Sequence, residues 1–304
     1  MKKIVVIGAT AVDLLGQCLG SLIANDSNPG RITVSVGGVG HNIALLLAGL
    51  GMDVDLISPL AQDDFGKLIA NRLADARFRF LPIPVENAFS AVYLAACDKN
   101  GVLEVGINDF SLLDQIENTD FNRYDNLIRA ADAIVLDANL PEMVIGYLIN
   151  RYHPIPIYCD GVSQTKVLRF KPFLDKIASI KVNRQELASL HGLALPLGEA
   201  SIRTICDKSS VFYVITDGKN PVVYNDNGNI KSQTPETPHR YLTSTGAGDA
   251  LFAGVIFGIK SGMSADQAVG CGLKLARLTF ENGLAELGKK SLERLLDEEG
   301  TFDG

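Results

Sequence analysis

The sequence predicts an α/β fold: a mostly parallel central sheet covered by helices on both faces, with a small β-sheet lid inserted near its start. Three observations carry this. From residue 121 to 216, short apolar strands alternate with helix-length segments, the pattern of a parallel sheet between two helical layers. Residues 78–107 break that alternation with three consecutive β runs. Near the end, Thr243-Ser244-Thr245-Gly246-Ala247-Gly248-Asp249 runs directly into Ala250-Leu251-Phe252-Ala253-Gly254-Val255-Ile256-Phe257, a loop opening a buried helix with an acid in its first turn.

Taken in order, residues 4–8 form a short β-branched strand, and residues 9–13 turn out of it, placing Asp13 at its carboxyl end, where open parallel sheets hold ligands. The turn cluster Asp26-Ser27-Asn28-Pro29-Gly30 precedes residues 31–36, which alternate polar and apolar like a strand with one wet face. Gly37-Gly38-Val39-Gly40 breaks that strand, and His41-Asn42 leads into a buried helix over 43–50 that stops at Gly51. Residues 54–58 are a second central strand, with a crossover helix over 63–76. The β runs at 78–85, 89–97 and 102–107 suggest an antiparallel sheet joined by 31–36, and the Asn100-Gly101 turn between the last two is a strong hairpin signal. Helices at 121–131, 141–151 and 166–176 then precede strands at 133–137, 155–160 and 179–182. Helices at 184–191 and 198–208 lead to strand 211–216, followed by a β excursion at 221–232 and helices from Gly248 and over 264–281. The charged tail after Gly288 reads as a last, fraying helix. The chain is thus expected to be one domain over 1–304, its lid drawn from about 14–36 and 78–107.

Composition narrows the function. The chain is 47% hydrophobic and 21% charged, ordinary for a globular enzyme, and its net charge of −7 argues against a general nucleic-acid binder. No apolar run is long enough to span a bilayer, which argues against a membrane partner. The Met1-Lys2-Lys3 start lacks the cleavage site of a signal peptide. Five scattered cysteines with no Cys-x-x-Cys spacing fit a reducing, cytoplasmic setting without structural zinc. The four histidines show no metal-ligand spacing.

The chemistry points to phosphoryl transfer. Gly246 and Gly248 let backbone N–H groups at a helix N-terminus approach an anion closely, and Asp249 would stand beside that anion, placed to take a proton. A Gly-x-Gly-Asp whose acid only caps its helix is the plain alternative. Three further polar clusters fall at strand or loop ends: Asp13, the 37–42 loop, and Asn183 with Glu186.

Together these clusters resemble the ribokinase-like (PfkB) family of carbohydrate and nucleoside kinases, over about residues 4–288, through the Gly-Gly-rich loop near the start and the Gly-Ala-Gly-Asp near the end. Residues 26–32, Gly37-Gly38-Val39-Gly40, Asn42-Ile43-Ala44 and Ile107-Asn108-Asp109 are similar to its pseudouridine kinase branch, whose members phosphorylate the ribose 5′-hydroxyl with ATP. The resemblance implies a three-layer α/β/α fold, ATP and Mg²⁺ as cofactors, and a small nucleoside or sugar as substrate. It implies Asp249 as base, with Gly246, Ala247 and Gly248 stabilising the transferring phosphoryl group. Asp13, Gly38 and Asn42 would hold the sugar, although a lone Asn starting a helix is more often a cap. Asn108 would touch base or ribose, or simply occupy a turn, and Lys166 would meet phosphate or substrate, or lie on the surface. Asn183 and Glu186 match the Asn-x-x-Glu motif that organises Mg²⁺ through water, and Thr216-Asp217-Gly218 the nucleotide segment. Three positions depart from the family: Thr243 replaces the acid on which its potassium site relies, leaving monovalent-cation dependence open; Pro221 replaces a glycine; and Gly161 replaces a common proline. An exposed lid would offer edge strands to a second copy, and related kinases often form homodimers through it.

Overall fold

A computed structural model describes residues 2–207, 209–240, 242, 245–288 and 292. The first strand, β1 (Lys3–Ile7), is apolar after its opening lysine because both its faces are covered. Val5 and Ile7 enter one hydrophobic cluster, and Ile4 and Val6 enter another on the opposite face. β1 pairs in parallel with β4 (Asp53–Ala61) and β8 (Ala133–Asp137). The nine-stranded sheet has the order β13-β12-β11-β10-β9-β8-β1-β4-β5. Its other strands are β5 (Arg79–Val85), β9 (Ile157–Asp160), β10 (Ser179–Asn183) and β11 (Phe212–Thr216), with β12 (Val222–Asp226) and β13 (Asn229–Gln233) added as an antiparallel hairpin. The order reverses beside β1, which makes the carboxyl ends of β1 and β8 the natural ligand crevice.

Helices α1 (Val39–Gly49), α2 (Asp64–Leu73), α7 (Ala247–Lys260) and α8 (Ala265–Asn282) cover the face that includes Ile4 and Val6. The other face is covered by α4 (Glu142–Tyr152), α5 (Arg184–His191), α6 (Glu199–Asp207) and the short α3 (Asp125–Arg129). A further short helix, α9 (Leu284–Leu287), follows α8.

The lid is a four-stranded sheet in the order β3-β2-β6-β7, with β2 (Ala11–Cys18), β3 (Gly30–Gly37), β6 (Val92–Cys97) and β7 (Leu103–Asp109). Its two faces differ in chemistry. Asp13 lies opposite Ser35 and Tyr93, and Tyr93 opposite Asn108, forming a polar row. One residue along, Val34, Leu14, Leu94 and Ile107 form an apolar row on the other face. Leu14 packs on the body, whereas Val34, Leu94 and Ile107 are exposed.

Several expected elements are corrected. Residues 79–85 belong not to the lid but to the edge of the large sheet, where among the described residues they pair with β4 alone. Pro82 and Pro84 explain this, since proline cannot donate to a ladder and is confined to edges. Residues 11–13 do not turn out of the first strand; β2 begins at Ala11, so Asp13 stands on a lid strand. Helix α1 starts at Val39, ahead of the expected residue 43, with Gly38 as its N-cap. The segment expected to be helical over 121–131 divides into a 3-10 helix, Asn118–Tyr124, and α3. Lys166–Lys176 is a 3-10 helix, consistent with Pro172 inside it, which removes a backbone donor. Apart from Leu292, the tail expected to be helical after Gly288 falls outside the described residues, as does the departure at Thr243.

Candidate active site

Four strands of the large sheet bring their carboxyl ends to the site, and β10 adds a residue from its middle, Lys181. Asp137 ends β8 and is buried; its Oδ2 accepts from the Ala9 N–H at 2.7 Å and its Oδ1 from the Asn139 N–H at 2.8 Å, fixing the chain where it leaves β1 for the lid. Asp160 ends β9, Asn183 ends β10 and Thr216 ends β11. The N-termini of α1 and α7 converge on the same crevice, because both helices pack on the face that includes Ile4 and Val6.

The central contact is between those two helices. Asn42 Nδ2 donates to Asp249 Oδ2 at 2.7 Å. Asp249 is buried in the first turn of α7, yet its side chain makes no capping bond; the N-cap is Gly246. Gly246 has φ 81°, and a Cβ there would strike Leu284 Cδ1, so the loop requires glycine at this position. First-turn N–H groups have no carbonyl one turn earlier to bond, so Gly246, Ala247 and Gly248 open α7 with the form of an anion cradle.

Lys181, on β10, lies beneath the cradle. Its Nζ lies 2.9 Å from Asp160 Oδ2 and would be 3.1 Å from a Cβ on Gly248. Burial alone would lower its pKa, but the carboxylates of Asp160, Asp249 and Glu186 raise it above the ordinary lysine value, so the cation persists. Asp249 responds oppositely. Burial, and then the Asp160 charge, push its pKa up to about 7, with Lys181 and the Asn42 hydrogen bond pulling down. A carboxyl titrating there is matched to taking protons near neutral pH.

On one side of Asp249 lies a cleft of about 430 Å³, lined by Asp13, Gly38, Asn42, Tyr93, Asn108, Phe110, Asn139, Lys166, Gly246 and Asp249, among others. Burial raises Asp13 to about 6. Lys166 Nζ donates to Asn139 Oδ1 at 2.7 Å and lies 4.8 Å from the Phe110 ring centroid, so it faces the cleft, with burial lowering its pKa. Val162, also on the cleft wall, has φ 60°, a strained conformation for a β-branched residue; its N–H is held by Asp160 Oδ1 at 3.0 Å.

On the other side, Ala247 and Gly248 line a groove of about 200 Å³ with Thr216, Gly218, Leu251, Ala276, Arg277 and Phe280. Thr216 and Gly218 also line a groove of about 710 Å³ that contains Asn183 and Arg184. The cradle loop is therefore a wall between two spaces. Asn183 caps α5: its Oδ1 accepts from the Glu186 N–H at 2.8 Å, while Glu186 Oε1 accepts from Asn183 Nδ2 at 2.7 Å and Oε2 from the Asn183 N–H at 3.0 Å. Another hollow, of about 560 Å³ beside His191 and Tyr213, contains none of these groups.

The residues predicted from sequence thus fall into two sets, with Asp13, Gly38, Asn42, Asn108 and Lys166 on the cleft and Asn183, Thr216 and Gly218 on the grooves. Sequence reasoning missed Lys181, Asn139, Tyr93 and Phe110. A lysine inside the short apolar strand Ser179-Ile180-Lys181-Val182 was a signal, since a buried cation needs partners.

Residues 1–290 match the pfkB family of carbohydrate kinases. The chain belongs to that family. The kinase is 30% identical to a pseudouridine kinase of Escherichia coli over 83% of this chain and 82% of that one. It is 28% identical to a guanosine-inosine kinase of Exiguobacterium acetylicum, over 93% of this chain and 97% of that one. Among solved structures, a carbohydrate kinase from Agrobacterium tumefaciens superposes with a TM-score of 0.79 at 26% identity, covering 95% of this chain and 97% of that one. A ribokinase from Giardia lamblia gives 0.82 at 15% identity, over 98% of this kinase and all (100%) of the other chain, a likeness of fold. The ribokinase-like α/β fold and membership of a sugar and nucleoside kinase family that uses ATP follow.

Proposed function

We propose that this kinase transfers the γ-phosphoryl group of ATP to the 5′-hydroxyl of pseudouridine. The observation that carries the reading is Asp249: a buried carboxylate titrating near pH 7, facing the cleft and adjoining the anion cradle. The Escherichia coli relative supports the choice of acceptor.

In this reading the nucleoside occupies the 430 Å³ cleft, with Asp13 and Asn42 accepting from and donating to ribose hydroxyls. Asn108, Tyr93, Phe110 and Lys166 line the rest of the cleft and meet the base. Ionised Asp249 takes the proton of the attacking hydroxyl as its oxygen bonds to the γ-phosphorus and the bond to the β–γ bridging oxygen breaks. The N–H groups of Gly246, Ala247 and Gly248, backed by the Lys181 cation, receive the charge spread over the transferring oxygens. Thr216 and Gly218 border the nucleotide.

The donor set suits Mg²⁺ held at a distance. Among the described residues no group of three or more His, Cys, Asp or Glu is placed to hold a metal ion, and both Glu186 oxygens are already engaged by Asn183. Glu186 and Asn183 would hold Mg²⁺ through its own waters, and the ion would neutralise phosphate charge.

The deciding experiment offers the purified protein ATP and Mg²⁺ with pseudouridine, uridine, guanosine, inosine and ribose in parallel. Pseudouridine is expected to give the highest kcat/KM. A higher value for guanosine or inosine would transfer the assignment to the activity named for the Exiguobacterium relative, which spans more of this chain. No phosphorylation of any acceptor would remove the kinase reading. We further propose a homodimer formed through the exposed apolar face of the lid, where Val34, Leu94 and Ile107 are 45%, 40% and 60% exposed. Sedimentation of an Ile107→Glu variant as a monomer, against a wild-type dimer, is the expected result.

A further inference from the structure

Behind the Asn42–Asp249 contact stands a third side chain. His41 Nδ1 lies 3.1 Å from Asn42 Oδ1. An ionised carboxylate only accepts, so Asn42 must direct its NH₂ to Asp249 and its carbonyl oxygen to His41. The ring nitrogen facing that oxygen must then be the one that carries the proton. The His41 ring is held in place for this role. Its backbone N–H donates to Ala9 O at 3.1 Å, its ring meets Phe78 edge-on with centroids 6.0 Å apart at 74°, and the residue is 6% exposed. Burial brings its pKa down to about 4, so at neutral pH it is an uncharged imidazole with a single N–H to direct.

An amide by itself has no preference between its two orientations, and the flipped one would aim a carbonyl oxygen at the Asp249 carboxylate. We propose that His41 is a positioning residue: its Nδ1–H fixes the amide of Asn42 so that Asn42 donates to Asp249, holding the base aimed into the cleft. The charged groups that reach Asp249 are Asp160, Lys181 and Asp137; Asn42 is the neutral donor among its neighbours and lowers its pKa. The proposal rests on Asp249 being the base.

Two measurements test it. Long-range ¹H–¹⁵N spectra of ¹⁵N-histidine-labelled protein at pH 8 should place His41 in the Nδ1–H tautomer, its signal identified by its loss in His41→Asn. An Nε2–H tautomer overturns the proposal, whatever the variants do. In kinetics, His41→Phe keeps a ring against Phe78 but removes the donor. Its kcat should fall about tenfold, the scale of one lost hydrogen bond, with less change in the acceptor KM. The acid limb of its pH–kcat profile should move to higher pH, because Asp249 loses a bond that lowers its pKa. His41→Asn, which returns an N–H near the same place, should recover most of both. Unchanged kcat and limb in a folded His41→Phe overturn the proposal. Full turnover in Asp249→Asn would instead remove the base, while the tautomer would still judge the His41–Asn42 contact.

Discussion

Replacing Asp249 by asparagine should weaken the enzyme and strengthen the protein, and the second effect should depend on pH. In the unfolded chain an aspartate ionises near the ordinary value of 3.8, whereas inside the fold Asp249 ionises only at about 7. Below 3.8 the carboxyl is neutral in both states and contributes nothing. Through the window from 3.8 to about 7 the unfolded state alone ionises, so wild-type stability declines as pH rises, and above about 7 the full penalty stands. At about 1.36 kcal/mol per pH unit the total approaches ~4 kcal/mol, and the part falling between about pH 5 and pH 8 is about 3 kcal/mol. The variant's amide carries no such charge and can still accept from Asn42 through its oxygen. Urea unfolding of both proteins at about pH 5 and pH 8 should show the variant's advantage widening by about that 3 kcal/mol, while kcat drops by ~10²–10⁴-fold. An advantage equal at the two pH values would refute the claim that Asp249 is held out of its ordinary ionisation range.

Other outcomes follow from the same geometry. Wild-type kcat should rise about tenfold from pH 6 to pH 8, as the ionised fraction of a group titrating near 7 grows from ~0.1 to ~0.9; a flat profile over that range would count against Asp249 as base. Lys181→Met should both abolish turnover and destabilise by ~3–5 kcal/mol, since it leaves buried Asp160 without its cation, in contrast to Asp249→Asn; thermal melts separate the two. Gly246→Ala should lose ~1–3 kcal/mol from positive φ, more with the Leu284 clash, and its kcat should fall as the cradle shifts, measured by melting and steady-state assay. Lys166→Met should raise the acceptor KM more than it lowers kcat if the acceptor occupies the proposed cleft, since Lys166 lines that cleft and not the cradle.

The large sheet was legible in the sequence because its signals are local. Apolar runs ending in Asp137, Asp160 and Thr216 announced central parallel strands, and the helix over 184–191 was placed correctly, although its capping by Asn183 and Glu186 was shown only by the structure. The lid was legible only in part. The hairpin at Asn100-Gly101 was clear, but whether residues 79–85 pair with the lid or the body is decided by contacts far along the chain, and the two prolines were the only local hint. The site divides in the same way. Asp249, Gly246 and Asn42 could be read from motifs, whereas Lys181 and Asn139 acquire meaning only from what faces them across strands. His41 has no metal-ligand spacing to mark it; its position beside Asn42 is plain in the sequence, but the direction of its ring is not.

The lid sheet carries a consequence for how this enzyme can change. Its polar row of Asp13, Tyr93 and Asn108 and its apolar row of Leu14, Leu94 and Ile107 are offset by a single residue. Strand side chains alternate with period two, so an insertion or deletion of one residue within β2 would present Leu14 to the cleft and turn the Asp13 carboxylate toward the body, and one within β6 would exchange Tyr93 and Leu94. Acceptor preference should therefore drift by substitution at individual lid positions, while changes of length are confined to the connecting turns at 19–29 and 98–102.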